Sequence, residues 1–308
     1  MGMLMGKLLV NISADCEATQ PAIRDPALGE RAVRGLMVIA ARQAAPGTLF
    51  VIPSDLQSSG ALYQEAERAG WEIGLHLHPA AQGYEEFLGL YGPQDQERIL
   101  REAMALFEKV MGRSPCAFCM GYGSANDHTY PILEALGFTH GGVSIPRRVL
   151  PECASVWAGA PLGIHYPHRF NRVLAGDVDF VEIPPTVDPD SMMWGGKHPQ
   201  DLRVELVDAK NHWYTMDKAI RRQLDANDPL PYLRIVTHNI FDYSDARNFR
   251  RETLQGMLQH AQSLAQKHGL ELEYVTLAEI NRRYRALRPR TAGAGPNVKL
   301  DRSGYGQE

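Results

Sequence analysis

The feature that most constrains this chain is an alternation of apolar, β-branched runs with helix-patterned segments, repeated roughly seven times. LLVNIS (8–13), TLFVIP (48–53), WEIGLHLHP (71–79), the short run 115–119, FTHGGVS (138–144), VDFVEIPPTV (178–187), YLRIVTH (232–238) and LELEYVT all read as strands. Between them lie helix patterns at about 26–44, 61–69, 94–111, 127–136, 207–224 and 244–268, with a last one at 277–287. Within 94–111, Ile99, Ala103, Phe107 and Val110 recur at spacings of three or four and mark one buried face. Gly70, Gly137 and Gly269 each close a helix. Strands separated by helices pair in parallel through crossover connections, so the pattern predicts an α/β fold with a parallel sheet. At 308 residues the chain is long enough for one large barrel or for two ordinary domains.

Composition narrows the partners. A formal net charge of -4 gives no electrostatic reason to expect nucleic acid or an anionic membrane. No apolar run approaches the ~20 residues that span a bilayer. The opening MGMLMGKLLVNIS reads as a first strand and lacks the features of a secretory leader, so the expected compartment is cytoplasmic. Four cysteines, Cys16, Cys116, Cys119 and Cys153, are too few for a disulfide scaffold. Cys116 and Cys119 have redox or zinc-ligand spacing, but no second pair accompanies them; buried thiols without chemistry are expected. Cys16 should point into the core. Segment 145–176 has weak periodicity and reads as an insertion or long loop. The stretch 288–308, rich in Gly, Pro and charge, reads as a flexible tail.

In parallel α/β folds functional groups gather at the carboxyl ends of strands. Here those ends carry Asp15 and Glu17, then His76 and His78, then Cys119 to Gly123, then His238 and Asn239. Residues two apart on a strand share a face, so Asp15 pairs with Glu17 and His76 with His78. Two carboxylates and two imidazoles suit a divalent metal such as zinc in an open site, with one carboxylate left free as general base. The bland alternative is that the histidines are ordinary strand residues facing a polar loop. His165 to Phe170 and Met192-Met193-Trp194 read first as ordinary loops. No Walker loop, dinucleotide fingerprint or GxSxG elbow is present.

Placed in this order, the segments ISADCEAT, WEIGLHLHP, FCMGYGSANDHTYPILEALGFTH, VEIPPTV and IVTHNIFDY resemble the motifs of the polysaccharide deacetylase (NodB-like, carbohydrate esterase family 4-type) family over roughly residues 6–285. The resemblance implies a distorted (β/α)7 barrel that removes acyl groups from sugars with a divalent metal. It makes Asp15 the base, Glu17 a metal ligand, and His238 an assisting acid. His76 is the firmest imidazole ligand. The family's second motif sets two histidines four apart, but Ala80 stands there, so His78 is the substitute ligand. Where the third motif begins with an arginine that orients the base, this chain has Cys119. Met120 and Gly121 replace its prolines, and the backbone N–H of Tyr122 is left to contact the oxyanion.

The expectation is therefore one barrel domain over 1–287 that hydrolyses a carbon–nitrogen bond, foremost as an N-deacetylase of a sugar or related small amide, with zinc as the expected metal. Two alternatives stay open. One is a barrel without catalysis that binds carbohydrate or a protein. The other is a metal hydrolase of a cyclic ureide or formamide. The expected partner is a small-molecule or saccharide substrate; a homo-oligomer is left open.

Overall fold

The computed structural model describes residues 6–291. Its organising element is strand β1 (Lys7–Cys16), buried from its second residue onward. Two-sided burial follows from its sequence. Leu8, Val10, Ile12, Ala14 and Cys16 join the core that faces the helices, whereas Leu9 joins a separate cluster with Phe50, Ala117, Cys119, Val181 and Tyr232. Alternation then puts Asn11, Ser13 and Asp15 on the same face as Leu9, the inner face of a curled sheet.

The other strands of that sheet are β2 (Thr48–Val51), β3 (Glu72–Leu77), β4 (Ala117–Met120), β5 (His140–Gly142), β6 (Val181–Glu182), β7 (Tyr232–His238) and β8 (Glu271–Tyr274). All ladders are parallel, in the order β6-β5-β4-β3-β2-β1-β7. β8 adds to the first half of β1, at Lys7 to Val10. The result is a curled parallel half-barrel, in line with the barrel that the motifs implied. Among the described residues seven α-helices accompany it: α1 (Pro26–Ala41), α2 (Pro53–Arg68), α3 (Pro93–Met111), α4 (Thr129–Ala135), α5 (Ala209–Asp225), α6 (Phe249–Lys267) and α7 (Leu277–Leu287). Proline opens α1, α2 and α3, where its missing N–H costs nothing. No helix among the described residues is long and apolar enough to cross a membrane.

Between β6 and β7 side chains stand in for a ladder. The Tyr232 hydroxyl donates to the Pro184 carbonyl at 3.0 Å, and Arg234 Nη1 donates to the Ile183 carbonyl at 2.6 Å. Arg234 is about 1% exposed and also donates from Nε to Ser13 Oγ. Gly142 makes room for it, since a Cβ there would lie 1.9 Å from Nη1.

Several boundaries differ from expectation. α2 begins at Pro53, not near residue 61; that proline starts a helix instead of only ending a strand. The strand expected over 178–187 shrinks to Val181–Glu182, because Pro184 and Pro185 have no N–H to give a ladder. Segment 145–176 is not one irregular loop: Val149–Leu150 pairs with Ser155–Val156, and Pro167–His168 with Asn171–Ala175. An unexpected hairpin, Val187–Met193 with His198–Asp201, follows β6. Of the tail predicted over 288–308, residues 292–308 lie outside the described residues. Its start is held by Tyr166, whose hydroxyl donates to the Arg288 carbonyl.

Candidate active site

The ends of β1, β3, β4 and β7 bring five predicted residues together: Asp15, Glu17, His76, His78 and His238. Asp15 is in register with His238 across the β1–β7 ladder, and His76 with Cys119 across β3–β4. Glu17 Oε2 lies 2.7 Å from His78 Nε2 and 3.5 Å from His76 Nε2. Asp15 Oδ2 lies 4.0 Å from His76 Nε2 and 4.0 Å from His238 Nε2. All but His238 are buried.

Each imidazole is turned by its other nitrogen. His76 Nδ1 donates to the Cys119 carbonyl at 3.0 Å, which turns Nε2 toward Glu17 and Asp15. His78 Nδ1 is 2.5 Å from Glu86 Oε1. Such outer partners fix the orientation of metal-binding histidines. Burial would raise the Glu17 carboxyl, but hydrogen bonds from His76 and His78 overcome it and hold Glu17 well below the ordinary carboxylate range. Burial likewise opposes a charge on His78, yet Glu17 and Glu86 push its pKa up to about 10.

The donor set fits a divalent cation. Glu17, His76 and His78 each offer one atom, all within 4.8 Å of one another. Asp15 Oδ1 is buried without a hydrogen-bond partner, a costly state unless something positive or proton-bearing occupies that side. Asp15, His76 and Cys119 form a second group of the same span that shares His76.

His78 reaches the cluster because of Gly121, where a Cβ would lie 2.6 Å from both Cε1 and Nε2 of the ring. Tyr122 follows in the left-handed region at φ 57°; its ring packs edge-on against His78, and its carbonyl accepts from Arg148 Nη1 at 2.9 Å. Both Tyr122 and Asp15 line a cavity of about 300 Å3.

Several site residues, Glu205, Asp55 and three arginines among them, escaped the sequence reading, and Asn239 stands in it at the rim without a role. Glu205 accepts a hydrogen bond from His238 Nδ1. Burial works against a charge on His238, but Glu205, then Glu17 and Asp15, raise its pKa to about 9. Asn239 Oδ1 accepts the Glu17 N–H at 2.7 Å, and its Nδ2 donates to Asp55, which also takes the Ala18 and Thr19 N–H groups. The segment after β1 is thereby clamped. Arg148, Arg203, Arg234 and Trp194 line the cavity as well. Trp194 lies in the hairpin after β6, so of the Met-Met-Trp run expected to be an ordinary loop, Trp194 forms part of the cavity wall. His165 and Tyr166 do not line this cavity; Tyr166 packs on Tyr284.

The cysteines separate. Cys16 is buried in the helix-facing core, as expected. Cys119 is also buried, and burial, then Asp15, raises its thiol pKa well above the usual range. Cys116, expected to be buried, is exposed, because β4 starts only at Ala117. No disulfide forms among these four.

Residues 29–141 match the family model described as polysaccharide deacetylase. That span contains His76, His78, Cys119 and Tyr122 but neither the first nor the last motif. No curated protein matches the chain significantly. Among solved structures, a putative polysaccharide deacetylase from Mycobacterium smegmatis aligns with a TM-score of 0.63 at 18% identity, covering 97% of this chain and 98% of that one. The PuuE allantoinase aligns with a TM-score of 0.64 at 13% identity, covering 93% of each chain. A probable polysaccharide deacetylase from Pseudomonas aeruginosa PAO1 aligns at 0.63 and 13%, again over 93% of each. Residues 29–141 thus match the polysaccharide deacetylase family model, and over nearly the whole chain the protein shares the fold of these deacetylase structures.

Proposed function

We propose that this protein is a metal-dependent amide hydrolase, foremost an N-deacetylase of a sugar or a related small amide. The observation that carries the reading is the position of Glu17 Oε2 between Nε2 of His76 and Nε2 of His78, beside Asp15 with its unpartnered oxygen. Glu17, His76 and His78 would hold a divalent metal, with zinc the first candidate for a site of one carboxylate and two imidazoles. When bound there, such an ion supplies Lewis acidity toward an acyl oxygen and makes water more acidic.

The chain's own groups do the rest. Asp15 Oδ1, left unsatisfied by the protein, accepts a proton from the attacking water. The Tyr122 N–H donates to the oxyanion as the acyl carbon becomes tetrahedral. His238, kept protonated at neutral pH by Glu205, gives its proton to the departing nitrogen. Its Nε2 lies 4.0 Å from Asp15 Oδ2, which sets acid and base close enough to serve one amide bond between them. The four unpaired thiols favour a reducing, cytoplasmic location.

One observation favours the reading without catalysis: Cys119 stands where the third motif has its arginine. Against it, Arg234 Nη2 lies 3.9 Å from Cys119 Sγ, so a guanidinium still flanks that position, now delivered from β7. The likeness to both deacetylases and an allantoinase is one of fold, so it does not choose the acyl group. The test is a panel of N-acetyl amino sugars, formamides and cyclic ureides assayed with the metal-loaded protein. Chelation should abolish turnover. Asp15→Asn should keep the metal and lose activity; full activity in that variant would remove Asp15 as the base.

A further inference from the structure

The cavity beside Asp15 holds a buried cation, Arg148, that no carboxylate among the described residues contacts directly. Arg148 is about 3% exposed and lines the cavity. Its Nη1 donates to the Tyr122 carbonyl at 2.9 Å and its Nε to His198 Nδ1 at 3.1 Å. Both acceptors are neutral, and among the described residues Arg148 forms no ion pair. Arg203, on the same cavity, pairs with buried Asp201 at 3.2 Å, and Glu205 and Asp15 also act on its charge. Even so, Arg203 Nε is buried with no partner. Glu152, at the cavity's edge, is more than half exposed and 3.6 Å from Lys197. Three guanidiniums, Arg148, Arg203 and Arg234, thus line a cavity whose buried carboxylates are two, Asp15 and Asp201. Burial and the nearby Arg203 charge pull the Arg148 pKa down to about 9, and the opposing effect of Asp201 does not make up the difference. An unpaired buried charge is expensive to keep, and a guanidinium in a cavity is suited to carboxylate and phosphate oxygens.

We propose that the substrate of this site carries an anionic group, a carboxylate or a phosphate, in addition to its acyl amide, and that Arg148, aided by Arg203, binds that anion. The proposal rests on the reading that the Asp15 cavity receives the substrate, and it deepens that reading by naming a substrate class. A neutral acetamido sugar would leave Arg148 without a counter-charge. Trp194 adds a flat apolar wall: it stacks on His198 with centroids 4.3 Å apart, and Arg148 lies 5.9 Å from its ring. A small anionic amide would have the guanidiniums and the indole face to settle against.

The test is calorimetric titration of the intact protein, read as binding and not as turnover, so that loss of the hydrolase reading leaves this one standing or falling by itself. The probes are inorganic phosphate, acetate, N-acetylglucosamine, N-acetylglucosamine 6-phosphate and N-acetylmuramic acid. At least one anionic sugar should bind about tenfold or more tighter than its neutral counterpart, and Arg148→Gln should erase that difference. Preference for the phosphate pair or for the carboxylate pair identifies the anion. Should Arg148→Gln fail to fold, Arg148→Lys keeps the charge but not the planar fork, and should retain only part of the preference. Equal binding of neutral and anionic sugars, no binding of any anionic probe, or full preference in the Arg148 variants would each overturn the proposal.

Discussion

Gly121 and His78 fit together so closely that a Cβ on the glycine would sit 2.6 Å from two atoms of the imidazole ring. Two departures from the family's pattern therefore belong to one arrangement. A histidine placed two residues after His76 swings into the cluster only because the third motif has no side chain at that point.

Gly121→Ala should displace the His78 ring while leaving the barrel folded. Metal affinity is expected to fall roughly 10- to 100-fold, the usual range when support of a ligand is disturbed. Competition with a chromogenic chelator reads this directly. Unchanged affinity would mean that His78 is not a ligand.

His238 and Glu205 set the alkaline side of the pH profile. The pKa of His238 is raised from 6.5 to about 9, so the acid is in hand below that value and is lost as pH rises through it. By linkage, its pairing contributes stability that is complete below pH 6.5 and disappears toward pH 9. Glu205→Gln removes the largest cause of the upward shift. The alkaline limb of kcat/KM should move down toward the ordinary histidine range, and a limb that stays in place would exclude His238 as the acid.

Arg234 ties β7 to the segment after β6 where no ladder does. Arg234→Leu strands the Ile183 carbonyl and removes the donor to Ser13. The expected cost is about 2–4 kcal/mol of stability. Gly142→Ala should act in the same direction by pushing on the guanidinium. Thermal or urea unfolding measures both, and a shift within error for either would show that the gap is held by something else.

Much of this was legible in the sequence, and the reasons differ by residue. Asp15, Glu17, His76 and His78 stood out because period-two spacing at strand ends fixes which side chains share a face. The parallel barrel followed from the strand–helix alternation. Glu205, Arg148 and Trp194 did not stand out, because they lie in or beside irregular segments between strands, where no period says what a side chain will meet. Arg234 was hidden for another reason: inside an apolar strand its charge looked like an exception, and its partners lie 51 and 221 residues away along the chain. The start of α2 was missed because a proline after an apolar run marks a strand's end and a helix's first turn equally well.

The central claim is that Glu17, His76 and His78 hold one divalent metal and leave Asp15 free. An anomalous difference map at the zinc edge, from crystals grown with zinc, tests it most directly. One peak is expected per chain, about 2.0–2.1 Å from Nε2 of both His76 and His78 and at a similar distance from a Glu17 oxygen. A peak held by Asp15, His76 and Cys119, or no peak at all, would contradict it.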